Sequence, residues 1–195
     1  LRGDLMQTLA PQTVKHTLAL LKRLINFGIK KGLCQAPDPT KLHIELPTVN
    51  NKRTEDLNKE QLSALLKAID EDSNTQVANL MKLALYTGMR RGELFRLKWE
   101  DIDFQRGFIR LVKPKGGQDQ VIPLNQAARS LLEAHERTDS PYVFPGKNGG
   151  QRTEVSIQTR RIKKRAGLPK NFRALHGLRH VYASMLASSG KVDMY

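Results

Sequence analysis

The sequence predicts a mainly α-helical chain with a small antiparallel β-sheet set into it, an α+β arrangement in two unequal parts. Three observations lead there. Apolar residues recur at helical spacing through most of the 195 residues. That period is lost between Gly107 and Leu124, where β-prone residues flank glycine-rich turns. From Gln35 to Arg53 no period exists at all, and Pro37, Pro39 and Pro47 precede Asn50 and Asn51. An extended linker there places the boundary at residue 47, between the end of one helical domain (1–47) and a second domain (48–195).

The elements follow in order. Gln12 to Lys31 reads as a helix with Val14, Leu18, Leu21, Leu24, Ile25 and Ile29 on its apolar stripe, Lys15, Lys22 and Arg23 on the other face, and Gly32 as its stop. Asn58 followed three residues later by Gln61 is a capping-box signal for a helix carrying Leu62, Leu65, Leu66 and Ile69. A helix over Thr75 to Thr87 should end at Gly88, and a short one should cover Gly92 to Lys98. Phe108 to Val112 and Val121 to Leu124 are paired strands around the Lys115-Gly116-Gly117 turn. Helices are expected at Asn125 to Arg137, Val155 to Ala166 and Leu175 to Ser188, with a short strand at Tyr142 to Phe144.

Composition narrows the partners. The chain holds 33 Lys and Arg against 19 Asp and Glu, a net charge of +14, so a polyanion is the first partner to consider. The excess is uneven: residues 111–195 carry 15 basic and 6 acidic side chains, whereas residues 51–110 carry 11 and 10. One cysteine, Cys34, excludes a disulfide framework and a thiolate cluster and fits a reducing cytoplasm. No apolar run is long enough to span a membrane, so a membrane partner is not expected. Five histidines without convergent Cys or acidic spacing call for neither a metal nor another cofactor.

Two segments could do chemistry. In Leu85-Tyr86-Thr87-Gly88-Met89-Arg90-Arg91-Gly92-Glu93-Leu94, Gly88 ends one helix and Arg90 stands at the entry to the next. Backbone N–H groups favour an anion there, and a guanidinium can bind two phosphate oxygens in one plane. In Leu175-His176-Gly177-Leu178-Arg179-His180, His176 and Arg179 are three apart and share a helix face. An imidazole beside a guanidinium suits phosphoryl transfer, one bonding a reacting oxygen and the other neutralising charge. Each segment alone also fits a plain structural role, a surface arginine at a turn or a packed histidine. The run Arg160, Arg161, Lys163, Lys164, Arg165 reads either as a solvated helix face or as a phosphate-tracking one.

Taken in order, the two segments resemble the signature boxes of the tyrosine recombinases, the phage integrase family, and Lys115 before Val121-Ile122-Pro123-Leu124 resembles that family's β-hairpin lysine. The likeness covers Asn58 to Met194 and, more weakly, Thr8 to Gly32, which is similar to the end of the family's helical core-binding domain. It implies a site-specific recombinase that cleaves and rejoins duplex DNA through a 3′-phosphotyrosyl link. Arg90, His176 and Arg179 would bind the phosphate, and Lys115, with Lys113 as its competitor, would protonate the leaving oxygen. Glu93 and His180 would support the pocket, while Lys22, Arg23, Arg91, Lys113, Arg160, Arg161 and Lys164 would contact DNA. It also implies a tetramer on paired DNA sites. The family's nucleophile should follow Arg179 by about twice the 16 residues that separate it from Tyr195. It is therefore expected to be absent, the chain being a piece of a longer protein truncated at its C-terminus. Tyr86, Tyr142 and Tyr182 read as packing residues. The alternative from another class is a non-catalytic DNA-binding or regulatory protein on the same scaffold.

Overall fold

A computed structural model describes residues 2–38, 40–50, 56–113 and 117–190, in two compact units, Leu1–Arg53 and Thr54–Tyr195. In the first, a short helix α1 (Arg2–Thr8), which the sequence pattern did not announce, precedes α2 (Pro11–Lys30). Pro11 opens α2 at a position whose N–H would have no helical partner in any case, and Gly32, with φ +70°, follows its end. Val14 and Leu18 are buried on the expected stripe. Leu24 is not: it is 60% exposed and lies with Leu20 and Phe27 on a second apolar row, three and four residues apart.

The second unit is built around α4 (Thr75–Thr87). Leu80, Met81, Leu83 and Ala84 are fully buried, so this helix is apolar on several sides and belongs in the centre. Around it pack α3 (Lys59–Asp70), α5 (Arg91–Arg96), α6 (Gln126–Glu133), α7 (Ser156–Arg165) and α8 (Ala174–Ser188). Burying one such Leu or Met contributes about 1.5–3 kcal/mol, so the four α4 positions anchor the unit. The capping box forms as the sequence suggests: Gln61 N–H donates to Asn58 Oδ1 (2.8 Å) and Asn58 N–H donates to Gln61 Oε1 (3.1 Å). Asn74 and Asn125 cap α4 and α6 by a single bond each, their Oδ1 atoms accepting from Val77 N–H (3.1 Å) and Ala128 N–H (2.9 Å).

The sheet has three strands rather than two: β1 (Ile102–Asp103), β2 (Phe108–Leu111) and β3 (Gln120–Pro123), antiparallel in that order. Ile109 faces Ile102 on one side and Ile122 on the other, so β2 turns Ile109 and Leu111 inward and Phe108 and Arg110 outward. Two residues are too few for β1 to show a period in sequence. Helix α6 stops short of the expected Arg137 because His135 turns into the core. Its Nε2–H donates to Val143 O (3.0 Å) and its Nδ1 accepts from Asn79 Nδ2 (2.8 Å). Burial holds this imidazole below its ordinary pKa and therefore neutral. The segment expected as a strand at Tyr142 to Phe144 makes a single bridge, Tyr142 to Lys98, and otherwise buries Val143 and Phe144.

Candidate active site

The α4–α5 turn sets the first arginine. Thr87 Oγ1 donates to Leu83 O (2.6 Å), and Gly88 takes the left-handed conformation, φ +65°. A Cβ on Gly88 would lie 2.4 Å from Tyr182 Cδ1, so glycine is required for both conformation and space. The chain then extends through buried Met89 to Arg90, which precedes the first turn of α5. Glu93, its side chain only 4% exposed, takes two bonds from Arg90: one from the backbone N–H (2.7 Å) and one from Nη1 (2.8 Å). The guanidinium is thereby fixed in direction yet stays half-exposed, with its other donors available.

Helix α8 sets the rest. Lys163 Nζ donates to the carbonyls of Lys170 (2.8 Å) and Phe172 (2.9 Å), pinning the loop that leads into α8. The Phe172 ring then packs where a Cβ on Gly177 would be, 2.5 Å away, which lets the first turn of α8 approach that loop. His176 and Arg179 consequently project together, and Arg179 Nη1 donates to Gly88 O, tying α8 to the turn that bears Arg90. His180, one turn beyond His176, places its Nε2 3.0 Å from His176 Nε2.

These segments enclose a cleft of about 590 Å³ lined by Arg90, Arg91, Arg173, His176 and Arg179, with Ser156 and Thr159 from α7 on its far wall. Among the described residues four guanidinium groups and no carboxylate line it, a field that suits an anion. Arg173 was not singled out in the sequence; its one signal was a basic residue three positions ahead of His176. Lys115 lies outside the described residues, as does Tyr195. Lys113 lines a neighbouring groove of about 220 Å³ instead, in a left-handed conformation (φ 46°) with its N–H donated to Asp119 Oδ1 (2.9 Å). Lys22 and Arg23 are exposed on α2 in the first unit.

The basic run on α7 divides. Arg161 and Arg165 donate to the two oxygens of Asp72 (2.7 and 2.9 Å), whose side chain is fully buried, and Lys163 is spent on the loop described above. Burial raises the Asp72 carboxyl, but the Asn74 N–H and the two guanidinium groups outweigh it and hold the pKa below its ordinary value. The sequence reading of Arg161 as a DNA contact thus meets an intramolecular partner. Arg160 and Lys164 have no hydrogen-bond or ion-pair partner among the described residues and follow Ser156 at i+4 and i+8, on the row that continues from the cleft wall. Among the described residues no group of three or more His, Cys, Asp or Glu could hold a metal ion, and no helix is long and apolar enough to cross a membrane.

Residues 55–194 match the phage integrase family. A tyrosine recombinase of Thermosipho africanus is 30% identical over 181 residues, 91% of this chain and 63% of that protein. The chain thus spans somewhat under two thirds of that relative's length. The Tn1549 transposon integrase, solved in complex with circular intermediate DNA, matches with a TM-score of 0.79 and 20% identity over 98% of this chain and 71% of that one. The XerH site-specific recombinase, solved in a pre-cleavage complex with its difH substrate, matches with a TM-score of 0.67 and 26% identity over 93% and 56%. The fold is therefore that of the integrase catalytic domains, mainly helical with a small sheet.

Proposed function

This chain belongs to the phage integrase family, and from that premise we propose that it supplies the DNA-contacting surface and most of the phosphate pocket of a tyrosine-type site-specific DNA recombinase. The supporting observation is the convergence of Arg90, His176 and Arg179 in one cleft, although the two segments lie more than eighty residues apart in sequence. The linking bond from Arg179 to Gly88 O gives both arginines a common support.

In the proposed reaction a tyrosine oxygen attacks the scissile phosphorus, a 3′-phosphotyrosyl bond forms, and the 5′ oxygen leaves with a proton. Reversal by a new 5′ hydroxyl rejoins the strands, so the phosphodiester bond energy is conserved. Arg90 and Arg179 hold the non-bridging oxygens as charge accumulates on them. Their guanidinium groups are oriented beforehand by Glu93 and Gly88 and need little rearrangement at the transition state. His176 bonds a phosphate oxygen. Lys115 protonates the leaving oxygen, with Lys113 as the competing candidate for that role. The tyrosine comes from outside the described residues. Tyr86 and Tyr182 pack within the second unit, Tyr142 bridges to Lys98, and none of the three lines the cleft. Arg91, Arg160 and Lys164, with Lys22 and Arg23 on the first unit, contact duplex phosphates. The first unit is the end of a helical core-binding domain, and four copies assemble on paired DNA sites in the cytoplasm.

The test uses the whole protein and a nicked suicide duplex. Wild type should become covalently attached to DNA through tyrosine, while Arg90→Ala should lose about 10²- to 10³-fold in attachment rate and keep most of its duplex affinity. Full attachment by Arg90→Ala would remove Arg90 from the pocket. Absence of any covalent complex in wild type would favour the non-catalytic DNA-binding reading.

A further inference from the structure

His176 and His180 stand four residues apart near the start of α8, with their Nε2 atoms 3.0 Å apart and their rings edge to face, centroids separated by 4.6 Å. One N–H lies between them, donated by one ring and accepted by the other. The pair is solvent-reachable, and the helix already holds both rings at this spacing, so no loop must be ordered for them to act together. An ion about 2.1 Å from each nitrogen would see the two at roughly 90°. That is the angle between neighbouring ligands in a tetragonal or octahedral shell.

We propose that His176 and His180 form a two-nitrogen site for a tetragonal divalent transition-metal ion of the copper(II) or nickel(II) class. Imidazole suits these ions, whereas magnesium and calcium prefer oxygen ligands and are not held. Binding changes no oxidation state. The donating ring moves its proton from Nε2 to Nδ1, both Nε2 lone pairs turn to the ion, and water fills the open positions. Arg173 and Arg179 nearby oppose a cation, which keeps the affinity modest. One consequence rests on the proposed function, though the site itself does not: an ion on Nε2 occupies the nitrogen that His176 needs for phosphate, so copper or nickel would arrest cleavage.

The chain can be titrated with nickel(II) alone, without DNA, by calorimetry, and its copper(II) complex examined by electron paramagnetic resonance. One ion per chain is expected, with a tetragonal copper spectrum showing two nitrogen ligands. His176→Gln and His180→Gln should each weaken binding by about tenfold or more, since each leaves a single imidazole without its neighbour's effective concentration. His16→Gln and His43→Gln should change nothing. Binding that survives either α8 substitution, or no stoichiometric binding in wild type, would overturn the site. Duplex affinity measured in parallel separates the two readings: DNA binding without nickel binding removes this site only, and nickel binding without DNA binding removes the proposed function only.

Discussion

Gly88 connects three features through one missing Cβ: the left-handed end of α4, the Tyr182 ring beneath it, and the carbonyl that receives Arg179. Gly88→Ala should cost roughly 2–5 kcal/mol, from the left-handed backbone and from displacing the ring. Urea unfolding would read this, and a loss under about 0.5 kcal/mol would show that the turn relaxes at no expense. His135 gives a residue-scale pH dependence. Its folded pKa lies below the ordinary value, so the unfolded chain takes up the proton first. The stability it contributes is complete above about pH 6.5 and is lost as pH falls toward the folded value. Wild type should lose stability between pH 7.5 and 5.5 relative to His135→Gln, which cannot titrate; parallel curves for the two proteins would contradict a neutral, buried imidazole. Gly88 was legible in sequence as a helix stop, and Arg90 and His176 as candidates for one pocket, which the fold brings to a common cleft. The bond from Arg179 to Gly88 was not, because side chain to backbone bonds between distant segments leave no period.

Helix α7 shows how far an element can be read from its residue types. Five cations in six positions look like one surface, but the 100° step of a helix distributes them over different rows. Asp72, in the α3–α4 turn, takes Arg161 and Arg165, and Lys163 holds the loop into α8. No sequence period links Asp72 to a helix some ninety residues later, so the division appears only in three dimensions. Other misses have the same local origin: β1 is too short for alternation, and α6 ends where His135 finds its partners. Asp72→Asn should lower stability by about 1–3 kcal/mol near neutral pH, since charged hydrogen bonds are replaced by weaker ones. The folded carboxyl titrates below its unfolded value, so this contribution is present above about pH 4 and lost as pH falls through the folded pKa. Denaturation midpoints of the two proteins should therefore converge toward pH 2 to 3; an equal gap at pH 3 and pH 7 would show that charge is not its source.

At the scale of the whole molecule, the +14 charge predicts a polyanionic partner without saying which cations meet it. The direction each cation faces decides that. Those held on Asp72 or on the carbonyls of Lys170 and Phe172 release few counterions when DNA binds, whereas those turned into the cleft or along the row that continues its wall release theirs. Arg90, Arg91, Arg160, Lys164, Arg173 and Arg179 line the cleft or continue its wall along α7. If all six neutralise phosphates, the logarithm of duplex affinity should fall with the logarithm of salt concentration at a slope near −5, about 0.9 per contact. Arg160→Gln and Lys164→Gln should each flatten that slope by about 0.9 and weaken binding similarly on unrelated sequences. Arg161→Gln should leave the slope unchanged, because its guanidinium belongs to Asp72, and should instead lower the denaturation midpoint. Fluorescence anisotropy across a salt series on a short duplex measures all three. If Arg161→Gln flattened the slope as much as Arg160→Gln, Arg161 would have to leave Asp72 for DNA, and the row from Ser156 through Lys164 would lose its claim to be the phosphate-tracking face.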